Sequence, residues 1–149
     1  MTATRGSHLD AVLPIAAALT VLRVVVSCLL GPGDSEALYA LYARHLAPGY
    51  LDHAPLIGWL QHAAERLGTT ELGVGIGMPQ GLVLRIVPIA CWIASLLATR
   101  DLARTLWPDD AQAANRAAVA FIVCPLFLVG GMAASPDAPM SAAWLGSLA

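Results

Sequence analysis

Ala11 to Leu30 is a run of twenty residues in which Arg23 is the sole charge. As a helix rising 1.5 Å per residue it is about 30 Å long, the thickness of a bilayer's hydrocarbon core. Two further runs follow the same rule: 80–99, where Arg85 is the sole charge, and 117–134, which has none. A fourth, 138–149, follows Ser135-Pro136-Asp137 and is too short to span. Only 12% of the chain is charged, against about 25% in soluble domains. These runs predict an all-α, polytopic integral membrane protein. It has three full transmembrane helices (about 11–30, 80–99 and 117–134), a truncated fourth at 138–149, and an outer loop over 31–79. On this reading residues 1–149 are the N-terminal portion of a longer chain.

A net charge of −2 points to no nucleic acid and no anionic surface as partner. Cys28, Cys91 and Cys124 all fall inside apolar runs without metal-ligand spacing, so they read as small membrane residues. No cofactor is expected, and a divalent metal is left open. The first run is too long for a signal-peptide core and reads as a retained span. Arg23 would cost about 2.5–3.5 kcal/mol facing lipid at the centre of a span, so it is expected to snorkel or to face other helices.

The 31–79 loop carries two helical patterns. Gly31-Pro32-Gly33 ends the first span. From Ser35 to Ala47 a short helix is predicted with Leu38, Leu41, Tyr42, His45 and Leu46 on one face, stopped by Pro48-Gly49. Leu56, Trp59, Leu60, Ala63, Ala64 and Leu67 then recur at helical spacing, opposite Gln61, His62, Glu65 and Arg66. This predicts an amphipathic helix in the membrane interface, closed by Gly68, with Trp59 at headgroup depth. Residues 68–81 read as a connector, and Gly73-Val74-Gly75-Ile76-Gly77 lacks the spacing and preceding strand of a dinucleotide loop. Arg5, Arg100, Arg104 and Arg116 fall on one side of the spans, which the positive-inside rule makes cytoplasmic. Asp34 and Asp137 then share the outer face.

The reactive candidates cluster there. Asp34 reads either as a helix cap or as a general base near lipid. Glu36 reads as its neighbour or as a solvated helix-start acid. Asp137, at the start of the fourth run, reads as a second acid of the site or as an ordinary helix-start residue. Arg85 either pairs with one of these acids or clamps a phosphate. Asp52 caps the next helix or binds substrate; His53 binds a phosphate oxygen or bonds locally. Tyr39 is a substrate contact or an interfacial anchor.

The order of these motifs resembles the GT-C membrane glycosyltransferases, in the branch of dolichyl-phosphate-mannose–protein mannosyltransferases and lipid A aminoarabinose transferases. Bacterial members of that branch read Asp-Glu-Ala-x-Tyr, His-Leu, Gly-Tyr and Tyr-Asp-His-Pro-Pro-Leu, then Arg-x-x-Pro and Pro-Asp-Ala-Pro. Here stand Glu36-Ala37-Leu38-Tyr39, His45-Leu46, Gly49-Tyr50, Asp52-His53-Ala54-Pro55-Leu56, Arg85-Ile86-Val87-Pro88 and Pro136-Asp137-Ala138-Pro139. Ser35 occupies the family's Asp position, with Asp34 one residue earlier, and Ala54 replaces the first Pro. The resemblance implies transfer of a sugar from a polyprenyl-phosphate carrier to a lipid, glycan or protein acceptor. The site then lies on the outer side of the plasma membrane. Asp34 is the implied base, with Glu36 and Asp137 as catalytic neighbours, and Tyr39, Asp52, His53 and Arg85 bind substrate. A transporter or flippase-like protein, with Arg23 and the acids along a pathway, is the alternative reading, as is an inactive fragment of the transferase family.

Overall fold

The computed structural model describes residues 9–51, 53–68 and 77–149, and these form seven α-helices with no strand among them. In chain order they are α1 (Leu9–Leu29), α2 (Asp34–Arg44), α3 (Leu56–Gly68), α4 (Gln80–Leu106), α5 (Ala113–Val123), α6 (Pro125–Gly130) and α7 (Asp137–Leu148). Helix α4 is the axis of the assembly: α1, α3, α5 and α7 all pack on it, and α2 lies against α3. Val12, Trp92, Leu96, Phe121 and Ile122 form the main core where α1, α4 and α5 meet.

Among the described residues, two helices are long and apolar enough to cross a membrane: Val12–Leu29 of α1 and all of α4. The expected third span is not one helix. Pro125 has no N–H, and its ring excludes the α-conformation at the preceding residue. Cys124 is accordingly extended, at ψ 121°, and the segment divides into α5 and α6. The second span is also longer than its apolar run. Helix α4 continues past Thr99 through Arg100, Asp101 and Arg104 to Leu106, a length of about 40 Å. Nothing between Thr99 and Leu106 breaks a helix, and Trp107-Pro108 ends it.

The surface of α1 is inverted relative to a water-soluble helix. Only 22% of its apolar window is buried, and Val21, Leu22, Val25 and Leu29 face outward while Arg23 and Ser27 are buried. Arg23 therefore takes the second of its two expected positions, facing other helices. Its guanidinium lies 4.0 Å over the Trp92 ring, and Nη2 donates to the Leu128 carbonyl at 3.0 Å. That carbonyl belongs to the last turn of α6, where carbonyls lack intrahelical partners.

Helices α2 and α3 bury small and polar residues as well as apolar ones. In α2 the buried residues are Glu36, Tyr39, Ala40 and Ala43, while Leu41 and Leu46 are exposed. In α3 they include Ile57, Gly58, Gln61, Ala64 and Glu65, while Leu56, Trp59 and Leu67 are exposed. Small residues let the two backbones approach, and specific polar bonds decide which faces meet. Pro88, inside α4, deprives the Leu84 carbonyl of its partner four residues on. Gln61 supplies the replacement, its Nε2 donating to Leu84 O at 2.7 Å. Gln61→Leu is expected to orphan that carbonyl and cost about 1–3 kcal/mol, read as a lower unfolding midpoint. A Pro88→Ala background restores the helical N–H and should abolish most of the loss.

Candidate active site

The site is organised by an ion pair at the corner where α1 ends and α2 begins. Gly33 is the N-cap of α2, and Glu36, at the third helical position, reaches back to accept from the Gly33 N–H at 2.9 Å. Arg85, in the second turn of α4, donates to the same carboxylate twice: Nε to Oε1 at 2.9 Å and Nη2 to Oε2 at 2.6 Å. Its remaining bonds run to the end of α1, Nη1 to Leu30 O at 3.0 Å and Nη2 to Gly31 O at 2.9 Å. A cation thus meets the negative end of α1 and an anion the positive end of α2. A fourth segment joins through the Ala134 N–H, which donates to Glu36 Oε1 at 3.3 Å. Both ions are buried.

Burial alone would push the Glu36 carboxyl up. The bonds from Arg85, Gly33 and Ala134, with the Arg85 charge, outweigh it and hold the carboxyl below its ordinary value. A group whose folded pKa is depressed stabilises the fold above its unfolded pKa, about 4.3, and that contribution is lost as pH falls through the folded value. Thermal unfolding midpoints are therefore expected to fall on acidification below that point. Glu36→Gln should flatten the fall; an unchanged acid profile would remove Glu36 as its source.

Asp34 and Asp137 differ from Glu36. Asp34 is the first residue of α2, exposed, with no side-chain hydrogen bond or ion pair among the described residues. Asp137 likewise opens α7 and is exposed. The Glu36–Ala134 bond brings their two segments to one end of the assembly, Asp34 two residues before Glu36 and Asp137 three after Ala134. Of the two roles open to Arg85, the structure displays the pairing one. Its guanidinium is occupied by a carboxylate and two backbone carbonyls.

Comparison with protein-family models, with curated proteins and with solved structures returns no match. What the site can do therefore rests on its own geometry. Tyr39, buried in α2, is hydrogen-bonded through its hydroxyl to His53 Nε2 at 3.2 Å. Tyr42 stacks on Tyr50 with centroids 3.9 Å apart, and the Tyr50 hydroxyl donates to Tyr42 O at 2.8 Å. The aromatic ring of contacts fixes the loop between α2 and α3. Asp52, expected beside His53, lies outside the described residues.

Two cavities flank the first turn of α7. One, of about 500 Å³, runs between Ala54, Leu56 and Ile57 on one wall and Pro136, Pro139 and Trp144 on the other. The second, of about 310 Å³, lies between α4, α5–α6 and α7 and includes Trp92 and Asp137 in its lining. Met140 lines both. Trp92 and the Ala134 amide were not singled out by sequence. An indole in an apolar run reads as packing, and a backbone amide 98 residues from its acceptor leaves no trace in local pattern.

Proposed function

We propose that this chain carries the donor-side elements of a polytopic GT-C-like membrane glycosyltransferase that uses a polyprenyl-phosphate sugar. The observation that carries the proposal is the 500 Å³ groove. Its opposite walls are the Ala54–Ile57 and Pro136–Pro139 segments, which hold two of the motifs that resemble the family. An apolar groove of this size suits a ligand with a long hydrocarbon chain. The inverted surface of α1, apolar outside and cationic within, supports a lipid surrounding.

In this reading Asp34 is the base. It takes the proton from an acceptor hydroxyl as that oxygen bonds to the anomeric carbon. The anomeric bond to the carrier phosphate breaks at the same centre, and polyprenyl phosphate leaves with the electron pair. Asp34 is exposed and, among the described residues, carries no side-chain hydrogen bond or ion pair that a substrate would have to displace. Glu36, held ionised by Arg85, is a positioning residue that fixes the start of α2. Asp137 borders the acceptor side, and His53 is held toward the loop by Tyr39.

The test uses the intact gene. Membranes carrying Asp34→Asn are assayed for transfer from radiolabelled polyprenyl-phosphate sugars, with Asp109→Asn as control. Loss of about 10²–10⁴-fold in rate is expected. Undiminished transfer by Asp34→Asn would remove it as the base, and no transfer by the unaltered protein from any such donor would sink the proposal.

A further inference from the structure

Arg23 and Arg85 are the sole charges of their apolar runs, yet they are held differently. Arg85 has a carboxylate. Arg23 is 3% exposed and makes no ion pair among the described residues. Its charge is met by the Trp92 ring, 4.0 Å from the guanidinium carbon, and by the Leu128 carbonyl. A planar guanidinium can lie on an indole and donate from its edge at the same time.

Both contacts lead to one segment. Leu128 lies in α6, and Gly131, three residues on, packs against the Trp92 side chain. A Cβ on Gly131 would lie 2.5 Å from Trp92 Cδ1 and 2.7 Å from Cγ. Its φ of −71° is open to any residue, so the close approach is what requires a glycine here. Helix α6 buries none of its own residues, and Leu126, Leu128 and Val129 are exposed. Apolar burial therefore does little to place it. Phe127 stacks on Phe121 at 4.2 Å; the other ties are the Arg23 bond to Leu128 and the contact of Gly131 with Trp92. The chain then runs directly into functional ground. The Ala134 N–H donates to Glu36 Oε1, with the Ala134 methyl buried in a cluster with Tyr39 and Ile57. Ser135 and Asp137 enter the lining of one cavity and Pro136 that of the other, while Arg23 lines neither. The contacts close a circuit. It runs from α1 through Arg23 to α6, through Ala134 to Glu36, and through Arg85 back to Leu30 O at the end of α1.

We infer that Arg23 is a positioning residue: from within α1, seated on Trp92 and bonded to Leu128 O, it sets the α6–α7 segment where the Ala134 amide reaches Glu36 and residues 135–137 complete the walls of both cavities. The role concerns the geometry of the site and does not depend on sugar transfer.

The test is amide hydrogen exchange of the full-length protein in phosphatidylcholine nanodiscs, resolved to single residues by peptide fragmentation. Two amides donate to Glu36 and report different things. The Gly33 N–H sits in the same helical turn as its acceptor; the Ala134 N–H is delivered by α6–α7. Arg23→Met keeps an unbranched side chain and removes the charge. It is expected to speed exchange at Ala134 about tenfold, the typical net worth of one hydrogen bond, and to leave Gly33 unchanged. Global unfolding is not expected to move with it, because replacing a buried charge by an apolar side chain is often neutral. Arg23→Lys keeps a buried cation and loses the planar fork, and should give a smaller rise at Ala134 alone; it carries the test where the Met variant fails to fold. Gly131→Ala leaves the cation in place and presses a methyl on Trp92, and should reproduce the rise at Ala134 with Gly33 unchanged. Equal acceleration at both amides would mean a general loosening of the fold, and unchanged exchange at Ala134 would mean that α6 is placed without Arg23. Either result overturns the inference. Exchange is read without turnover, so its outcome stands apart from that of the transfer assay.

Discussion

Glu36→Ala is expected to destabilise the folded chain by about 3–5 kcal/mol, the range for removing one partner of a buried ion pair. The substitution leaves the Arg85 guanidinium buried without its carboxylate. It also strips the acceptor from the Gly33 and Ala134 amides, so three donors from separate segments lose their partner together. Unfolding in mixed micelles titrated with sodium dodecyl sulfate, followed by circular dichroism, measures the loss. Arg85→Ala should cost a similar amount, because it leaves a buried carboxylate and two uncapped α1 carbonyls. The double variant should cost well under the sum of the two singles, since each already breaks the same network. Strict additivity would mean that the two side chains do not act as a unit.

Gly81→Val should have the next largest effect, about 3 kcal/mol, at the upper end of overpacking costs. A Cβ on Gly81 would lie 2.2 Å from the Leu30 carbonyl oxygen and 2.4 Å from that of Ser27. These are backbone atoms at the end of α1 and cannot swing aside. Separating the helices also pulls Leu30 O away from Arg85 Nη1, so the substitution weakens the ion-pair corner from a distance. Gly146→Val is the matched control. Its Cβ meets nothing within 4 Å, and a change of about 0.5 kcal/mol or less is expected at such a surface position. Equal losses at the two glycines would show that β-branching in a helix, and not the close approach of α1 and α4, is the cause.

Most of the helical framework is legible in the sequence, and the reasons for the failures are specific. The helices at 34–44 and 56–68 follow from Gly-Pro punctuation and periodicity, and the sole charge in the second apolar run pairs with an acid of the first loop. Burial is where apolar pattern misleads. It groups Leu38, Leu41 and Leu46 on one face of α2, yet Ala40 and Ala43 are buried while Leu41 and Leu46 are exposed. Counting hydrophobic area assumes that the surroundings are water. Here Val21, Leu22 and Leu29 are exposed beside a buried Arg23, and specific polar bonds decide which faces of α2, α3 and α4 meet. Gln61 is the clearest case: its burial follows from Pro88, 27 positions later in the chain, through a carbonyl that a proline cannot serve. The break at Pro125 was visible in the residue itself. The uncharged run of eighteen residues at 117–134 is long enough to span, yet one proline suffices to divide it into two helices.

The partners of the corner are also separated in time. Glu36 and Arg85 are 49 residues apart, and Glu36 and Ala134 are 98 apart. At about 5–20 residues per second of synthesis, the acid leaves the ribosome several seconds ahead of its cation and waits roughly as long again for its last amide. During that interval Glu36 is a free carboxylate, and α1 has no fixed end against which to turn. The corner is therefore completed only when α4 arrives, and Arg85 ties the end of α1 to the start of α2 in a single event.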